Sequence, residues 1–174
     1  MAIQYRTQGF VIKKTDRREA DQVFTIFTKD FGKIEVSGKA IKKISSKLKS
    51  NIDIFCLCDL EFIQGKFHKI LTDSFKIEDF KNIKNDFEKV KIVFKVSESL
   101  DSLVNGQELD KKIWDLLQET FLKLNNTNCA SNNLQLIYHF FLWNLLAELG
   151  YKIDFYNCVS CKDKLAPQNL AFDA

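Results

Sequence analysis

The chain contains no apolar run long enough to cross a bilayer as a helix. Its most hydrophobic segment, residues 134–149, covers 16 residues and is interrupted by His139, Asn144 and Glu148, whereas a span takes about 20 predominantly apolar residues. The first residues lead into Thr7 and Gln8 with no apolar signal-peptide core, so the expected location is the cytoplasm, with no membrane partner. There is no Walker loop, dinucleotide fingerprint or HExxH pair, and the acidic residues are scattered along helix surfaces. The two histidines, His68 and His139, have no nucleophile at a recognisable spacing. No candidate active site emerges, so the chain is not expected to be an enzyme. Internal repeats, low-complexity tracts and long linkers are absent as well.

Cysteine is present, but in the odd number of 5. In a cytoplasmic chain Cys56, Cys58 and Cys129 read as small core residues, and no disulfide is expected. Cys158 and Cys161 have the C-x-x-C spacing of half a zinc site or of a redox pair. A redox pair should follow a strand and open a helix, whereas this one follows helical sequence, which favours the half zinc site. No Cys or His follows Cys161. Two thiolates fall short of the four ligands of tetrahedral zinc, so this chain is not expected to hold the metal stably.

What is abundant is positive charge at one end. The net charge is only +3, yet residues 1–50 hold 12 Lys and Arg against 5 Asp and Glu, while residues 51–174 hold 14 against 18. A basic module joined to a mildly acidic remainder is the electrostatic footprint of a polyanion binder, most often of nucleic acid. Lys39, Lys42, Lys43, Lys47 and Lys49 cluster in one segment, interrupted by Ile41, Ile44 and Leu48. Lys13, Lys14, Arg17 and Arg18 form a second cluster. The bland reading of the first is a solvated connection with a few apolar anchors. The functional reading is a phosphate-tracking surface, because lysine neutralises phosphate without reading a base.

Hydrophobic periodicity supplies the architecture. Residues 5–13 have strand composition, with Gly9 marking a bulge or tight bend, and residues 16–21 form a polar connection. Residues 22–28 and 33–38 are strands about the turn Asp30-Phe31-Gly32. That tripeptide also binds metal in protein kinases, but nothing upstream resembles their Gly-rich or catalytic loops, so a turn is expected. Residues 52–63 alternate over a long strand, Gln64-Gly65 turns the chain, and residues 67–77 return. Five strands with a long connection between the third and fourth match the OB-fold barrel. Beyond residue 79 the period becomes helical: residues 87–104, then 109–124 after Asn105-Gly106, then 134–149, capped by Ser131 or a neighbouring Asn and stopped by Gly150. The last helix is apolar on nearly every side and is expected to be enclosed by the others, with His139 in the core. His68 reads as a surface residue within reach of phosphate. Most of the 16 Phe belong to the core, with Phe31 and Phe67 the ones expected at the surface. The expected class is α+β: an OB-fold barrel over 1–79, a helical domain over 80–150 and a partial zinc-binding segment over 151–174.

The run GFVIKKTDRREADQVFTIFTKDFGKI resembles the N-terminal signature of the RecO family of bacterial recombination mediators. In that signature a strand enters G-x-V/I, a basic loop closes on E-A-D, a strand ends in F-T, and a D/E-x-G-K turn follows. The later run LLAELGYKIDFYNCVSC is similar to the family's helix, Gly-Tyr turn and first zinc half-site. The resemblance implies an OB-fold, a helical domain and a zinc-ribbon-like insertion. It implies binding of single- and double-stranded DNA, annealing of complementary strands, and RecA loading with RecR and single-stranded-DNA-binding protein, whose tail should dock on the helical domain. Family members with zinc carry a second ligand pair that is missing after Cys161, so the chain reads as truncated, with zinc a property of the full-length pattern. The competing reading is an OB-fold module for RNA or ribosomal surfaces; a thiol oxidoreductase is a third.

Overall fold

The structure is a computed structural model that describes residues 3–44, 46–106, 110–127, 131–151, 154, 156–158 and 161–164. Five strands, β1 (Gln4–Arg17), β2 (Asp21–Thr28), β3 (Gly32–Gly38), β4 (Leu57–Gln64) and β5 (Lys69–Glu78), close into a barrel in the order β1-β2-β3-β5-β4. The pairings are antiparallel except the β3–β5 seam, where only Val36↔Lys69 and Ser37↔Ile70 are in register. This is the OB-fold expected from the strand pattern. Four helices follow: α1 (Lys81–Lys84), α2 (Phe87–Leu103), α3 (Lys111–Asn126) and α4 (Ser131–Glu148).

Side chains alternate along a strand, and in β1 both faces are buried. Val11 points into the barrel with Phe24, Ile26, Ile34, Val36, Leu60 and Phe62. Its neighbours Phe10 and Ile12 point outward, yet are buried against α2, α3 and α4 together with Phe27, Phe55 and Leu57. The Phe10 ring lies 5.1 Å from that of Trp114 and 5.0 Å from that of Phe121. A hydrophobic core therefore runs without interruption across the strand-to-helix change at residues 79–80. Burying one such aromatic side chain is worth on the order of 1.5–3 kcal/mol.

The turn at Asp30 follows the expected course. Thr28 Oγ1 donates to Gly32 O at 2.8 Å and accepts from Phe31 N at 3.0 Å. Asp30 accepts from Thr7 Oγ1 at 2.6 Å. Gly32 at φ 59° supplies the left-handed residue that a three-residue hairpin loop needs. Phe31 is only partly exposed, because its ring packs edge-on against Tyr5 and Phe62.

Several expectations are corrected. β1 runs on to Arg17, so Asp16 and Arg17 are strand rather than connection. Its irregularity lies between Val11 and Lys13. Gly9 serves close approach instead: a Cβ there would collide with the Ile26 side chain and lie 3.2 Å from Leu60. Residues 52–56 are not strand. Phe55 has φ 58°, and this turn swings its ring out to the helices while Ile52 and Cys56 still fill the barrel. Helix α4 is not enclosed: it buries Leu134, Phe141 and Leu145, whereas Leu136 is 64% and Phe140 49% exposed. His139 is likewise exposed, on the face turned away from that core. Ser131 already belongs to α4. The caps of α2 and α3 are Asp86 and Asp110, each accepting two backbone N–H groups. Gly150 does end α4, at φ 93°, with Tyr151 N donating to Leu146 O and Gly150 N to Ala147 O in the Schellman pattern. No helix among the described residues is long and apolar enough to cross a membrane.

Barrel and bundle are also joined by charge. Asp101 on α2 accepts from Lys13 Nζ at 2.9 Å and Lys33 Nζ at 3.2 Å, and its backbone oxygen accepts a further bond from Lys33. Burial pushes the Asp101 carboxyl up, but the hydrogen bonds from Lys13 and Lys33 outweigh it and hold the group below the ordinary carboxylate range. A depressed folded-state pKa gives stability that is present above the unfolded value and lost as pH falls through the folded one. Asp101→Asn is therefore expected to lower stability by roughly 1 kcal/mol at neutral pH. In urea melts the gap from wild type should close in acid, below the ordinary carboxylate range. A gap independent of pH would show that the pair does not act through charge.

Candidate nucleic-acid interface

Two turns and one strand end meet at one rim of the barrel. Between β1 and β2, Arg18 adopts φ 58° and reverses the chain. Between β4 and β5, the four-residue loop 65–68 is closed by Gly65 N donating to His68 O at 3.0 Å. A Cβ at Gly65 would lie 2.6 Å from that oxygen, so glycine is needed for the loop to close this tightly. The third wall is the end of β3, where the chain leaves through Lys39 and Ala40.

These segments are strapped together by the residues that follow the arginines. Ala20 O accepts from Lys42 N at 3.1 Å, and Asp21 Oδ1 accepts from Ala40 N at 2.8 Å. Asp16 bonds both Lys42, at 2.8 Å, and Gln22, at 2.8 Å; the Lys42 bond first, then that from Gln22, keeps its carboxyl below the usual range. The connection after β3 is thereby fixed against the β1–β2 hairpin. Ile41 and Ile52, with Leu48 partly buried, close that end of the barrel core. Ile44 is no anchor, being 99% exposed.

The space enclosed is a cleft of about 370 Å³ lined by Arg17, Arg18, Asp21, Ser37, Lys39, Gly65, Lys66, Phe67, His68 and Ile70. Arg17 Nη2 lies 3.2 Å from His68 Nε2, a bond that spans the two turns. The one lining carboxylate, Asp21, is engaged by the Ala40 amide. Cations therefore dominate, and no ion pair among the described residues neutralises Arg17, Arg18, Lys39 or Lys66. The loops between β1 and β2 and between β4 and β5 are those with which OB-folds grip oligonucleotides.

The nine basic residues singled out in the sequence divide into three groups. Arg17, Arg18 and Lys39 line the cleft. Lys42, paired with Asp16, sits beside it, and Lys43, Lys47 and Lys49 are exposed on the connection that closes the barrel, with no ion pair among the described residues. Lys13 and Lys14 lie at the junction with the helices, held by Asp101 at 2.9 Å and Asp53 at 3.1 Å, about 13 Å or less along the strand from Arg17. Lys66 is a cleft cation that sequence reasoning misses. Its signal is the run Lys66-Phe67-His68-Lys69 at a hairpin, hidden when the fifth strand is begun at Phe67, two residues before β5 starts.

At the other end, the Cys158 turn is closed by Lys162 N donating to Cys158 O at 3.0 Å and by Cys158 N donating to Asp163 O at 2.8 Å. Among the described residues no cluster of three or more His, Cys, Asp or Glu side chains could hold a metal. Cys158 and Cys161 are the two cysteines of the C-x-x-C pair, and tetrahedral zinc takes four ligands. Cys129 lies outside the described residues. Cys56 and Cys58 are buried side by side in the barrel, with sulfurs 3.3 Å apart, as core residues.

Residues 1–73 match the family described as recombination protein O N terminal, and residues 84–174 the one described as recombination protein O C terminal. A DNA repair protein RecO from Dehalococcoides mccartyi (strain ATCC BAA-2266 / KCTC 15142 / 195) is 29% identical over 161 residues, covering 92% of this chain and 62% of the relative. Its namesake from Syntrophomonas wolfei subsp. wolfei is 33% identical over 160 residues, covering 91% and 62%. That from Clostridium perfringens (strain 13 / Type A) is 31% identical over 161 residues, covering 92% and 64%. The chain thus spans less than two thirds of the length of these curated relatives.

Proposed function

The chain belongs to the RecO family of DNA repair proteins, and from that membership we propose that it binds single- and double-stranded DNA without regard to sequence, through the cleft between the β1–β2 and β4–β5 turns. The observation that carries this is the convergence of Arg17, Arg18, Lys39 and Lys66 on one rim of an OB-fold barrel. Lys42, Lys43, Lys47 and Lys49 extend the positive surface beyond the cleft. Phosphates attract these cations and release their condensed counterions, which gives affinity without base readout. Lys13 pairs with Asp101 on α2 and Lys14 with Asp53 before β4, and on this reading both contribute little to DNA.

Two strands held on one basic surface repel each other less, and this is the basis for annealing. The sequence offers no Gly-rich phosphate loop, so annealing needs no nucleotide and the protein acts without catalysing a reaction. By family membership it works with RecR and single-stranded-DNA-binding protein in loading RecA, in the cytoplasm at the nucleoid. The groove of about 440 Å³ lined by Lys123, Leu136, Ile137 and Phe140 is our candidate for the tail of the latter.

Zinc is not stably held by this chain, since Cys158 and Cys161 provide half a site. Mild chelation should leave far-ultraviolet circular dichroism unchanged, and metal analysis after it should find well under one zinc per chain. One tightly held zinc would mean that further ligands exist.

The cleft itself is tested by salt dependence. The triple variant Arg18→Ala/Lys39→Ala/Lys66→Ala should flatten the slope of log K against log salt by roughly 0.7–0.9 for each phosphate that is no longer neutralised, equally for different sequences. Lys13→Ala/Lys14→Ala should leave that slope unchanged. The reverse pattern in folded variants would move the DNA site to the barrel–helix junction. Tighter binding to structured RNA than to DNA at matched salt would favour an RNA-binding module instead.

A further inference from the structure

Charge alone gives a site that treats paired and unpaired strands alike, yet the cleft contains a residue that charge does not explain. Phe67, at the tip of the β4–β5 turn, is 78% exposed; Phe75 and Phe87 are exposed to a similar degree, but of the three only Phe67 lines the cationic cleft. It packs in neither hydrophobic core. Leaving a ring of this size in water forgoes the stabilisation that burial would bring. Its setting is polar and cationic: Lys66 Nζ stands 5.4 Å from the ring centroid, within range of a cation–π contact. His68 on the other side is tied to Arg17, and the Gly65–His68 bond closes the loop beneath. The ring is thus presented by a short, closed turn whose neighbours are cationic.

We propose that Phe67 is a stacking platform for one unpaired base of a bound strand, and that it makes this cleft prefer single-stranded over duplex DNA. This rests on the cleft being the DNA site. A base in a duplex has both faces covered by its neighbours and cannot reach the ring without being unstacked, whereas a single strand offers a base face freely. Stacking on an aromatic side chain is tolerant of sequence because every base has a π-face. At about 370 Å³ the cleft is at the small end of ligand-sized sites, suited to one nucleotide rather than a run of stacked bases. The adjacent cations hold the flanking phosphates while Phe67 selects for an exposed base.

The test uses the full chain and three probes of equal length and labelling: an oligothymidylate, the same strand with abasic residues replacing the bases, and a blunt duplex. Phe67→Ala should weaken binding to oligothymidylate about tenfold, leave the abasic strand and the duplex within about twofold, and keep the salt slope of wild type. Phe67→Tyr should restore affinity, and the added indole of Phe67→Trp should change its fluorescence when oligothymidylate binds but not when the abasic strand does. Equal weakening on all three probes, or none on any, would overturn the stacking role while leaving the electrostatic site intact. Failure of the DNA-binding reading itself would show differently, as weak binding of wild type to all three probes with no salt dependence. Loss of binding to a partner protein with DNA affinity unchanged would assign Phe67 to a protein interface and also overturn the proposal.

Discussion

The fold depends on one strand being buried on both faces. Val11 fills the barrel while Phe10 and Ile12, one residue to either side, fill the core shared with α2, α3 and α4. A small barrel normally leaves its outer face to water, but here Phe10, Phe27, Phe55 and Leu57 would be an apolar patch without the helices. Barrel and bundle therefore need each other, and the interface fixes which part of the barrel remains open. Arg17 lies five residues beyond Ile12 on the same strand, roughly 16 Å along an extended chain. The rim with the arginines is thereby left free of the helices. Asp101 adds a charged latch at the covered side, pairing with Lys13 and Lys33.

The residues that carry the family resemblance are mostly architectural. Ala20 and Asp21 of E-A-D tie the β1–β2 hairpin to the connection after β3. Thr28 of F-T closes the β2–β3 turn, and Gly32 supplies its left-handed residue. Lys33 reaches across to Asp101. None of these touches phosphate in the site proposed. They hold in place the turns that carry the cations, and a sequence-independent polyanion site asks only for cations in about the right places.

This division explains what could be read from the sequence. The β-branched and aromatic composition of residues 22–28, the period-two alternation in residues 33–38 and 57–63, and the helical spacing after residue 86 were legible, although β2 proves to be buried on both faces. The turn chemistry at Asp30 and Gly150 was legible because only a few residues satisfy those backbones. Three features were not. Phe55 breaks an apparently continuous alternation because its ring is needed by the helices, a tertiary demand that local periodicity cannot register. The apolar character of α4 suggested enclosure, but hydrophobicity on all sides states only that several faces avoid water, not what covers each of them. The nine basic residues were visible as clusters, but the fold places Lys13 and Lys14 beside α2, away from the cleft that Arg17, Arg18 and Lys39 line. Lys66 joins the cleft only through the β4–β5 fold-back, which places it beside residues about fifty positions away in sequence.

The central claim, that DNA enters at the β1–β2 and β4–β5 turns, is tested most directly by amide chemical-shift mapping of the labelled chain during titration with a short single strand. The account predicts salt-sensitive shifts concentrated in residues 17–21, 37–43 and 65–70. Amides near Lys13, Asp53 and Asp101 should stay put, as should those along α3 and α4. Shifts confined to the helices or the barrel–helix junction, with the two turns silent, would contradict it.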